Sequence, residues 1–233
     1  MLLDPQLSGR MNNTSDAPVV IFGDQRSAQL AHHCLVHDSS LRVLAFTVDA
    51  AYRKANDFDG LPLFDFETLE AHCPPDQVQL LIPMGYQHIN GVRRARYEQA
   101  KARGYRFASY VSSRASVWRD LRLGENCLIY DNAIVQPFTT IGDNVIVRSG
   151  AHISHHGRVD SHAFIAPMAA LAGSVHVGEQ AFIGTGAVVI DQVHIAPRSF
   201  IGAGAVVTRA TEADGVYVGN PARRLARSAA QMK

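Results

Sequence analysis

Histidine is the residue type with the most evident chemical potential in this chain. The sequence holds 11 histidines, and His152, His155, His156 and His162 crowd into one short stretch. A neutral imidazole can act as a general base on a hydroxyl or an amine near neutral pH, and it is also a common metal ligand. By residue type alone, the cluster indicates a general base, a metal site or a group of exposed polar side chains.

A second set of candidates follows the apolar segments of the N-terminal part. The turn after segment 18–23 consists of Gly23, Asp24, Gln25, Arg26 and Ser27. A dinucleotide-binding turn needs several glycines, so this turn is either a weak phosphate cradle or an ordinary turn in which Ser27 or Asp24 caps the next helix. Asp49 could hydrogen-bond a ribose or a sugar, and Gly85 would permit close approach of a ligand. Each is equally an ordinary turn residue.

A six-residue repeat defines the elements that must position the histidines. From residue 117 to residue 207, sixteen consecutive positions spaced by six are Ile, Leu or Val, and the residue two positions earlier is mostly small. An α-helix cannot use this period, because 3.6 residues per turn would spread these side chains around its surface. The repeat predicts a β-helix in which both positions point inward and residues eighteen apart stack on adjacent coils. His155 then lies at a corner between Pro137 and Gly173.

The residue before each inward aliphatic must point outward, which defines three faces of the β-helix. The first face holds Leu128, Ile146, Phe164, Phe182 and Phe200; the second holds Ser116, Ile134, His152, Ala170, Val188 and Val206; the third holds Arg122, Thr140, Arg158, His176 and His194. Two faces are thus largely apolar, and apolar ladders of this length rarely stay exposed on a monomer. We therefore expect the first and second faces to meet head to tail in a homotrimer.

Residues 18–108 have the alternating pattern of a small parallel α/β sheet. Apolar segments at 18–23, 41–48 and 77–84 predict strands. Helices are predicted at 28–37, 66–72 and 92–103, the last followed by Gly104. The predicted organisation is a disordered lead-in over 1–17, a Rossmann-like domain over 18–108, a β-helix over 109–212 and a C-terminal tail over 213–233.

Composition argues against several classes of protein. The chain has 22 Lys and Arg and 21 Asp and Glu, and this near-neutral balance argues against nucleic acid or an anionic membrane as the main partner. No apolar stretch approaches the ~18 residues of a membrane span, and the N-terminus lacks the pattern of a signal peptide. The three scattered cysteines form neither a disulfide framework nor a zinc knuckle. We expect a cytoplasmic protein.

From about residue 18 to residue 225, the chain resembles the hexapeptide-repeat sugar acetyltransferases, typified by sialic acid O-acetyltransferases and by bacillosamine and perosamine N-acetyltransferases. The most specific stretches are residues 149–189, which hold the histidine cluster, and VYVGNPARRL at 216–225. The resemblance implies a Rossmann-like α/β domain that binds the acceptor and a left-handed parallel β-helix. It also implies a homotrimer with acetyl-CoA bound between subunits, and His155 as the general base.

The resemblance further implies binding residues. Those for the cofactor are Phe164, Gly173, Gly184, Thr185, Gly202, Ala203, Pro221, Ala222 and Arg223, the last three in the tail. The residues expected to bind the acceptor follow instead from their places after the predicted strands, where ligands of open α/β sheets bind. They are Asp24, Gln25, Arg26, Ser27, Asp49 and Gly85. No metal is expected.

Three features depart from the family pattern. The residue after the family's catalytic histidine is usually an acid or an amide and is here His156, which could orient His155, contact the acceptor or have no role. A family histidine that contacts the acetyl group is replaced by Phe164, and the Gly-rich sugar-nucleotide turn is replaced by residues 24–27. The choice between N- and O-acetylation, and the nucleotide on the acceptor, stay open.

The sequence therefore predicts an acetyl-CoA-dependent acyltransferase that acetylates an amine or hydroxyl of a sugar or nucleotide sugar, for surface polysaccharide or lipopolysaccharide synthesis. One alternative is a metal enzyme like the γ-carbonic anhydrases, which hold zinc with three histidines on the same β-helix. Against it, His156 and His162 are one hexapeptide apart and should lie on different corners. A non-catalytic β-helix scaffold is the other alternative.

Overall fold

The computed structural model describes residues 17–232. The lead-in predicted over residues 1–17 lies outside this range except for its last residue. Within residues 17–232, no helix combines the length and the apolar character that crossing a membrane would need.

The N-terminal part is an α/β sheet of six strands. Its elements are β1 (Val19–Phe22), α1 (Arg26–Asp38), β2 (Val43–Val48), β3 (Asp57–Phe58), β4 (Leu61–Asp65), a 3-10 helix (Phe66–Ala71), β5 (Gln79–Leu81), α2 (Gly91–Ala102) and β6 (Arg106–Phe107). The strand order is β3-β4-β2-β1-β5-β6, and all neighbours are parallel except the hairpin of β3 and β4, which the sequence pattern did not predict. The order reverses at β1, since β2 lies on one side of it and β5 on the other. Ligands of open α/β sheets bind at the carboxyl ends of strands beside such a reversal.

The start of α1 differs from the prediction. Gln25 is the N-cap residue, and no side chain caps the helix. Capping by Ser27 or Asp24 is therefore wrong, because the Asp24 carboxylate instead accepts a hydrogen bond from the Gln25 amide at 3.1 Å. The end of α2 is as expected, with Gly104 in the left-handed region at φ +87°.

The second part is a parallel β-helix of two-residue strands. In chain order these are β7 (Tyr110–Val111), β8 (Ser116–Val117), β9 (Arg122–Leu123), β10 (Leu128–Ile129), β11 (Ile134–Val135), β12 (Thr140–Ile141), β13 (Ile146–Val147), β14 (His152–Ile153), β15 (Arg158–Val159), β16 (Phe164–Ile165), β17 (Ala170–Leu171), β18 (His176–Val177), β19 (Phe182–Ile183), β20 (Val188–Val189), β21 (His194–Ile195), β22 (Phe200–Ile201) and β23 (Val206–Val207). They form three sheets, one behind each predicted face, and each strand pairs with the strand eighteen residues away. The longer strands β24 (Gly215–Val218) and β25 (Arg223–Ser228) extend the first sheet and precede a 3-10 helix at Ala229–Gln231.

The predicted fold class is confirmed: an α/β part followed by a left-handed β-helix. All sixteen aliphatic residues of the repeat occupy the second position of a strand, from β8 to β23. From Val135 onward each of these side chains is at most 3% exposed, and the small residues two positions earlier pack beside them in one continuous core. The period of six thus determines both the strands and the core.

The corners of the β-helix have a regular backbone conformation. Every sixth residue from Asn126 to Gly204 lies in the left-handed region, with φ between +53° and +71°. Glycine, asparagine and aspartate adopt this conformation most easily. Asparagine holds three of the positions (Asn126, Asn132 and Asn144) and glycine three others (Gly150, Gly186 and Gly204). His156 occupies the same corner position at φ +57°.

The first apolar face is covered by the chain's own N-terminal part. Leu128, Ile146, Phe164 and Phe182 are at most 7% exposed and share a core with side chains of the N-terminal sheet and of α1. The Tyr86 ring packs on Phe164 and Phe182, with ring centroids 5.4 and 4.6 Å apart. The expectation that this face meets another subunit is therefore wrong, because the ladder holds the two parts of one chain together.

A buried arginine fastens α2 to the neighbouring corner of the β-helix. Arg93 is fully buried and donates hydrogen bonds to the carbonyls of Met84 and Gly85, to both oxygens of Asn144 and, at 2.8 Å, to the carbonyl of His162. Burial lowers the pKa of its guanidinium to about 9. Arg93 thereby ties the loop after β5 to the corner that follows the third sheet.

Candidate active site

His155 lies at the corner between β14 and β15, on the coil register that the repeat predicts. A Cβ atom on Gly173 would lie 2.8 Å from Cε1 and 3.1 Å from Nε2 of His155, so the imidazole occupies space that only glycine leaves free. The backbone N–H of His155 donates to Oε1 of Gln136 at 3.0 Å, and the N–H of Gly173 donates to the Asp191 carboxylate at 2.8 Å. His155 is exposed, so its side chain is accessible to a substrate.

The ring of His156 is directed toward His155. The two Nδ1 atoms are 3.1 Å apart and the ring planes are nearly perpendicular, at 86°. The N–H of His156 donates to the carbonyl of Pro137 at 3.1 Å, and its ring packs on Phe138 with centroids 4.7 Å apart. Of the three roles left open for His156, this contact favours the orientation of His155.

A cavity of about 580 Å³ lies at the carboxyl ends of β1, β2 and β5, where the strand order reverses. The predicted acceptor residues Asp24, Gln25, Ser27, Asp49 and Gly85 all line it. Residues from three separate turns thus converge on one site.

Arg26 is the exception among the predicted acceptor residues. It lines a different cleft on the outer side of α1, together with His33 and His37. Helix α1 begins at this residue, and each helical residue turns its side chain by about 100° from the one before. Arg26 therefore lines a different cleft from Ser27, and its assignment to the acceptor site stays a prediction.

The cavity also holds charged residues that the sequence analysis missed. Arg96 donates to Oδ2 of Asp49 from two nitrogens, at 2.5 and 3.2 Å, so Asp49 is half of an ion pair. Oδ1 of Asp49 has no partner among residues 17–232. Lys54 and His88 supply further basic groups. The helical spacing of α2 could have placed Arg96 on the inner side of that helix, but no sequence signal connects it with Asp49, 47 residues away.

The loop after β5 joins this cavity to the β-helix through a strained turn. His88, Ile89 and Asn90 are consecutive left-handed residues, with φ of +49°, +50° and +61°. A β-branched residue such as Ile89 is a clear outlier there, and such strain persists only where surrounding contacts enforce it. Asn90 supplies those contacts by donating to the carbonyls of Gln180 and Ala181 at 3.2 and 3.1 Å. His88 is held at the cavity as a result.

The residues predicted for the cofactor fall into two groups. Thr185 and Ala203 are exposed at the corner between the first and second sheets, whereas His155 and Gly173 belong to the corner on the other side of the second sheet. Gly184 and Gly202 are buried between coils: a Cβ on Gly184 would lie 2.6 Å from the Gly202 backbone, so packing alone explains that glycine.

In the C-terminal tail, Pro221 and Arg223 are exposed, and Ala222 donates its N–H to the carbonyl of Val206. Phe164 lies under Tyr86 on the first face and is 7% exposed. The Phe164 ring belongs to the contact between the two parts, and its assignment to the cofactor site stays a prediction.

The other histidines form separate structural groups. His162 is buried beside Asn144, and burial together with the cations Arg94 and Arg93 lowers its pKa to about 4. His176 and His194 stack on the third face at 4.6 Å, and Asp160 accepts a hydrogen bond from His176 at 2.7 Å. Within residues 17–232, no three His, Cys, Asp or Glu side chains are grouped so that they could hold a metal ion.

Comparisons with known proteins agree with this architecture. The family model for the bacterial transferase hexapeptide (six repeats) matches residues 120–155 and 174–209. A solved structure of a histidine-to-alanine variant of GDP-perosamine N-acetyltransferase from Caulobacter crescentus, in complex with CoA and GDP-perosamine, is 27% identical with a TM-score of 0.81. This match covers 93% of the present chain and 99% of that chain. The chain is a hexapeptide-repeat protein built like the sugar N-acetyltransferases.

Two further structures share the fold of this hexapeptide-repeat protein. The acetyltransferase domain of PglB from Neisseria gonorrhoeae FA1090 is 24% identical with a TM-score of 0.79, over 90% of this chain and 100% of that one. WeeI from Acinetobacter baumannii AYE is 23% identical with a TM-score of 0.72, over 89% of this chain and 99% of that one. A search of curated proteins gives no match. The predicted family resemblance is confirmed, and the expected acyltransferase class and acetyl-CoA agree with these neighbours.

Proposed function

We propose that the protein is an acetyl-CoA-dependent N-acetyltransferase that acetylates the amine of a nucleotide-linked sugar, with His155 as the general base. The observation that carries this proposal is the match over both parts of the chain to a sugar N-acetyltransferase solved with CoA and GDP-perosamine. A match to the β-helix alone would leave the acceptor open, since that fold serves many functions.

The acceptor cavity supports a nucleotide-linked substrate on chemical grounds. Lys54, His88 and Arg96 are basic groups suited to a diphosphate, and Asp49 keeps one carboxylate oxygen for a hydroxyl. The exposed Tyr52 ring lies at the same cavity and offers a surface on which a base can stack. Residues 24–27 lack the glycines of a phosphate-binding turn, and in this proposal the polar side chains around the cavity bind the nucleotide instead.

The reaction needs one proton acceptor. The sugar amine attacks the thioester carbonyl, the carbon–sulfur bond breaks, and CoA leaves as the thiol. Nε2 of His155, which has no hydrogen-bond partner among residues 17–232, takes the proton that the amine loses and can pass it to the leaving sulfur. The space over Gly173 admits the thioester beside that nitrogen.

The proposal includes a homotrimer closed through the second face. Ile134 and Val188 on this face are 37% and 39% exposed, and Ile190, Met168 and Phe138 at its margins are also exposed. The corner with His155 and the corner with Thr185 lie at opposite edges of this face. Contact through the face would therefore place the His155 corner of one subunit beside the Thr185 corner of its neighbour. Acetyl-CoA would lie along that seam. A cytoplasmic location and a role in surface polysaccharide synthesis complete the proposal.

The test is a thiol-release assay with acetyl-CoA against amino sugars, each supplied free and nucleotide-linked. We expect release with a nucleotide-linked amino sugar, undiminished by a chelator. His155→Asn should lower kcat by the ~10²–10⁴-fold typical of a lost general base and leave the Kd for CoA within a few-fold.

Two results would contradict the proposal. Turnover of His155→Asn close to that of the unaltered protein would remove His155 as the base. Loss of activity on chelation, with one zinc per subunit, would support the metal-enzyme alternative.

A further inference from the structure

The contact between His155 and His156 joins two groups that can each donate or accept. A neutral imidazole carries one N–H and one unprotonated nitrogen. Because the two Nδ1 atoms are 3.1 Å apart, one of them must donate and the other accept. The pair therefore has two neutral arrangements, which differ in the tautomer of His155.

Only one of these arrangements leaves a base at the substrate. If His155 donates from Nδ1, its Nε2 over Gly173 is unprotonated and can accept a proton. If His156 donates instead, His155 carries its proton on Nε2 and cannot serve as a base. The hydrogen bond made by one ring nitrogen determines the protonation of the other.

The backbone holds His156 in place for this contact. Its φ of +57° is the regular corner conformation, its N–H is bonded to Pro137, and its ring rests against Phe138. His155 is fixed in turn by Gln136 and by the coil below it. Both rings are thus positioned by the β-helix itself, without any ligand.

We infer that His156 is a positioning residue that accepts a hydrogen bond from Nδ1 of His155 and so holds Nε2 of His155 unprotonated. This inference rests on the proposed function for its meaning in catalysis, but the tautomer can be measured without any substrate. In this arrangement His156 carries its own proton on Nε2.

Two variants separate the hydrogen bond from the backbone conformation. His156→Gly keeps the left-handed corner, as Gly150 and Gly186 do at the equivalent positions, and removes the acceptor. His156→Asp supplies an oxygen that only accepts, and Asp59 and Asp214 already adopt left-handed φ values in this chain. Neither variant needs a change in the corner.

The experiment is ¹⁵N NMR of histidine-labelled full-length protein at pH 8, where an imidazole is neutral, with His155→Asn used to assign the His155 signals. Protonated and unprotonated ring nitrogens have well-separated ¹⁵N shifts. The unaltered protein and His156→Asp should show His155 with Nδ1 protonated and Nε2 unprotonated. His156→Gly should lose this bias by roughly 3–10-fold, the effect of one ordinary hydrogen bond.

In the thiol-release assay, kcat of His156→Gly should fall by about the same factor, with the KM for both substrates nearly unchanged, and His156→Asp should retain kcat. A proton found on Nε2 of His155 in the unaltered protein would overturn the inference. A tautomer population of His155 that is the same in His156→Gly as in the unaltered protein would also overturn it. If no acceptor is acetylated although the tautomer behaves as expected, the proposed function fails and the positioning of His155 stands.

Discussion

Lowering the pH should destabilise this protein through His162 in particular. His162 is 7% exposed, and its Nδ1 lies 2.9 Å from the side-chain nitrogen of Asn144. That Asn144 group must be the NH₂, because Oδ1 of Asn144 already accepts from Asn126 and Arg93. Nδ1 of His162 must accept, so a proton there would face a donor as well as two nearby arginines.

The magnitude follows from the pKa of His162, which burial, Arg94 and Arg93 lower from 6.5 to about 4. Between these values the unfolded chain binds a proton that the folded chain does not, so stability is lost as the pH falls through this window. From pH 7.5 to pH 5, the loss is about 2 kcal/mol for this one group. The effect is nearly absent above pH 7.5 and is complete below about pH 4.

The assay is urea unfolding at pH 7.5 and pH 5, compared between the unaltered protein and His162→Asn. Asparagine suits this position, because Asn126 and Asn144 hold the same corner on the two preceding coils with similar φ. The other ten histidines are common to both proteins, so the difference between the two pH dependences isolates His162. Equal losses of stability between pH 7.5 and pH 5 in the two proteins would refute this reasoning.

Two further outcomes are expected for the contacts between the parts of the chain and between subunits. Arg93→Ala should cost more than about 2 kcal/mol in urea unfolding, because it leaves buried carbonyls without a donor. Arg94→Ala removes two partly exposed ion pairs, with Glu98 and Glu179, and should cost less than about 1 kcal/mol; equal losses would contradict the role given to Arg93. Phe182→Glu should lower the stability of the single chain, whereas Val188→Glu should leave the fold intact and dissociate the proposed trimer, as measured by light scattering. A Val188→Glu protein with unchanged mass in solution would remove the second face from the subunit contact.

The loop after β5 connects the acceptor cavity to the β-helix. Residues 83–91 line the acceptor cavity at Met84, Gly85 and His88, and they touch the β-helix through Tyr86 and Asn90. The left-handed turn in this loop is strained, and the surrounding contacts hold it in place. The acceptor cavity is therefore fixed with respect to the β-helix rather than free to move on a linker.

The period-six repeat by itself determined the β-helix, its core and the corner of His155. Each hexapeptide forms one strand and one corner, so a residue's position in the repeat fixes whether it points inward and what lies eighteen residues away. This local rule places His155 over Gly173 without any knowledge of distant contacts. The alternating strands and helices of the first part are equally local, because hydrophobic period and length define each element.

Only the tertiary structure decided what covers each outward face and which distant side chains meet. An outward ladder of Leu, Ile and Phe is the same pattern whether its partner is another subunit or, as here, the chain's own first part. Asp49 pairs with Arg96, and His162 is buried beside Arg93, through packing between elements far apart in sequence. The sequence pattern indicates that an outward apolar side chain must be buried. Which residues bury it depends on how the N-terminal sheet packs on the β-helix.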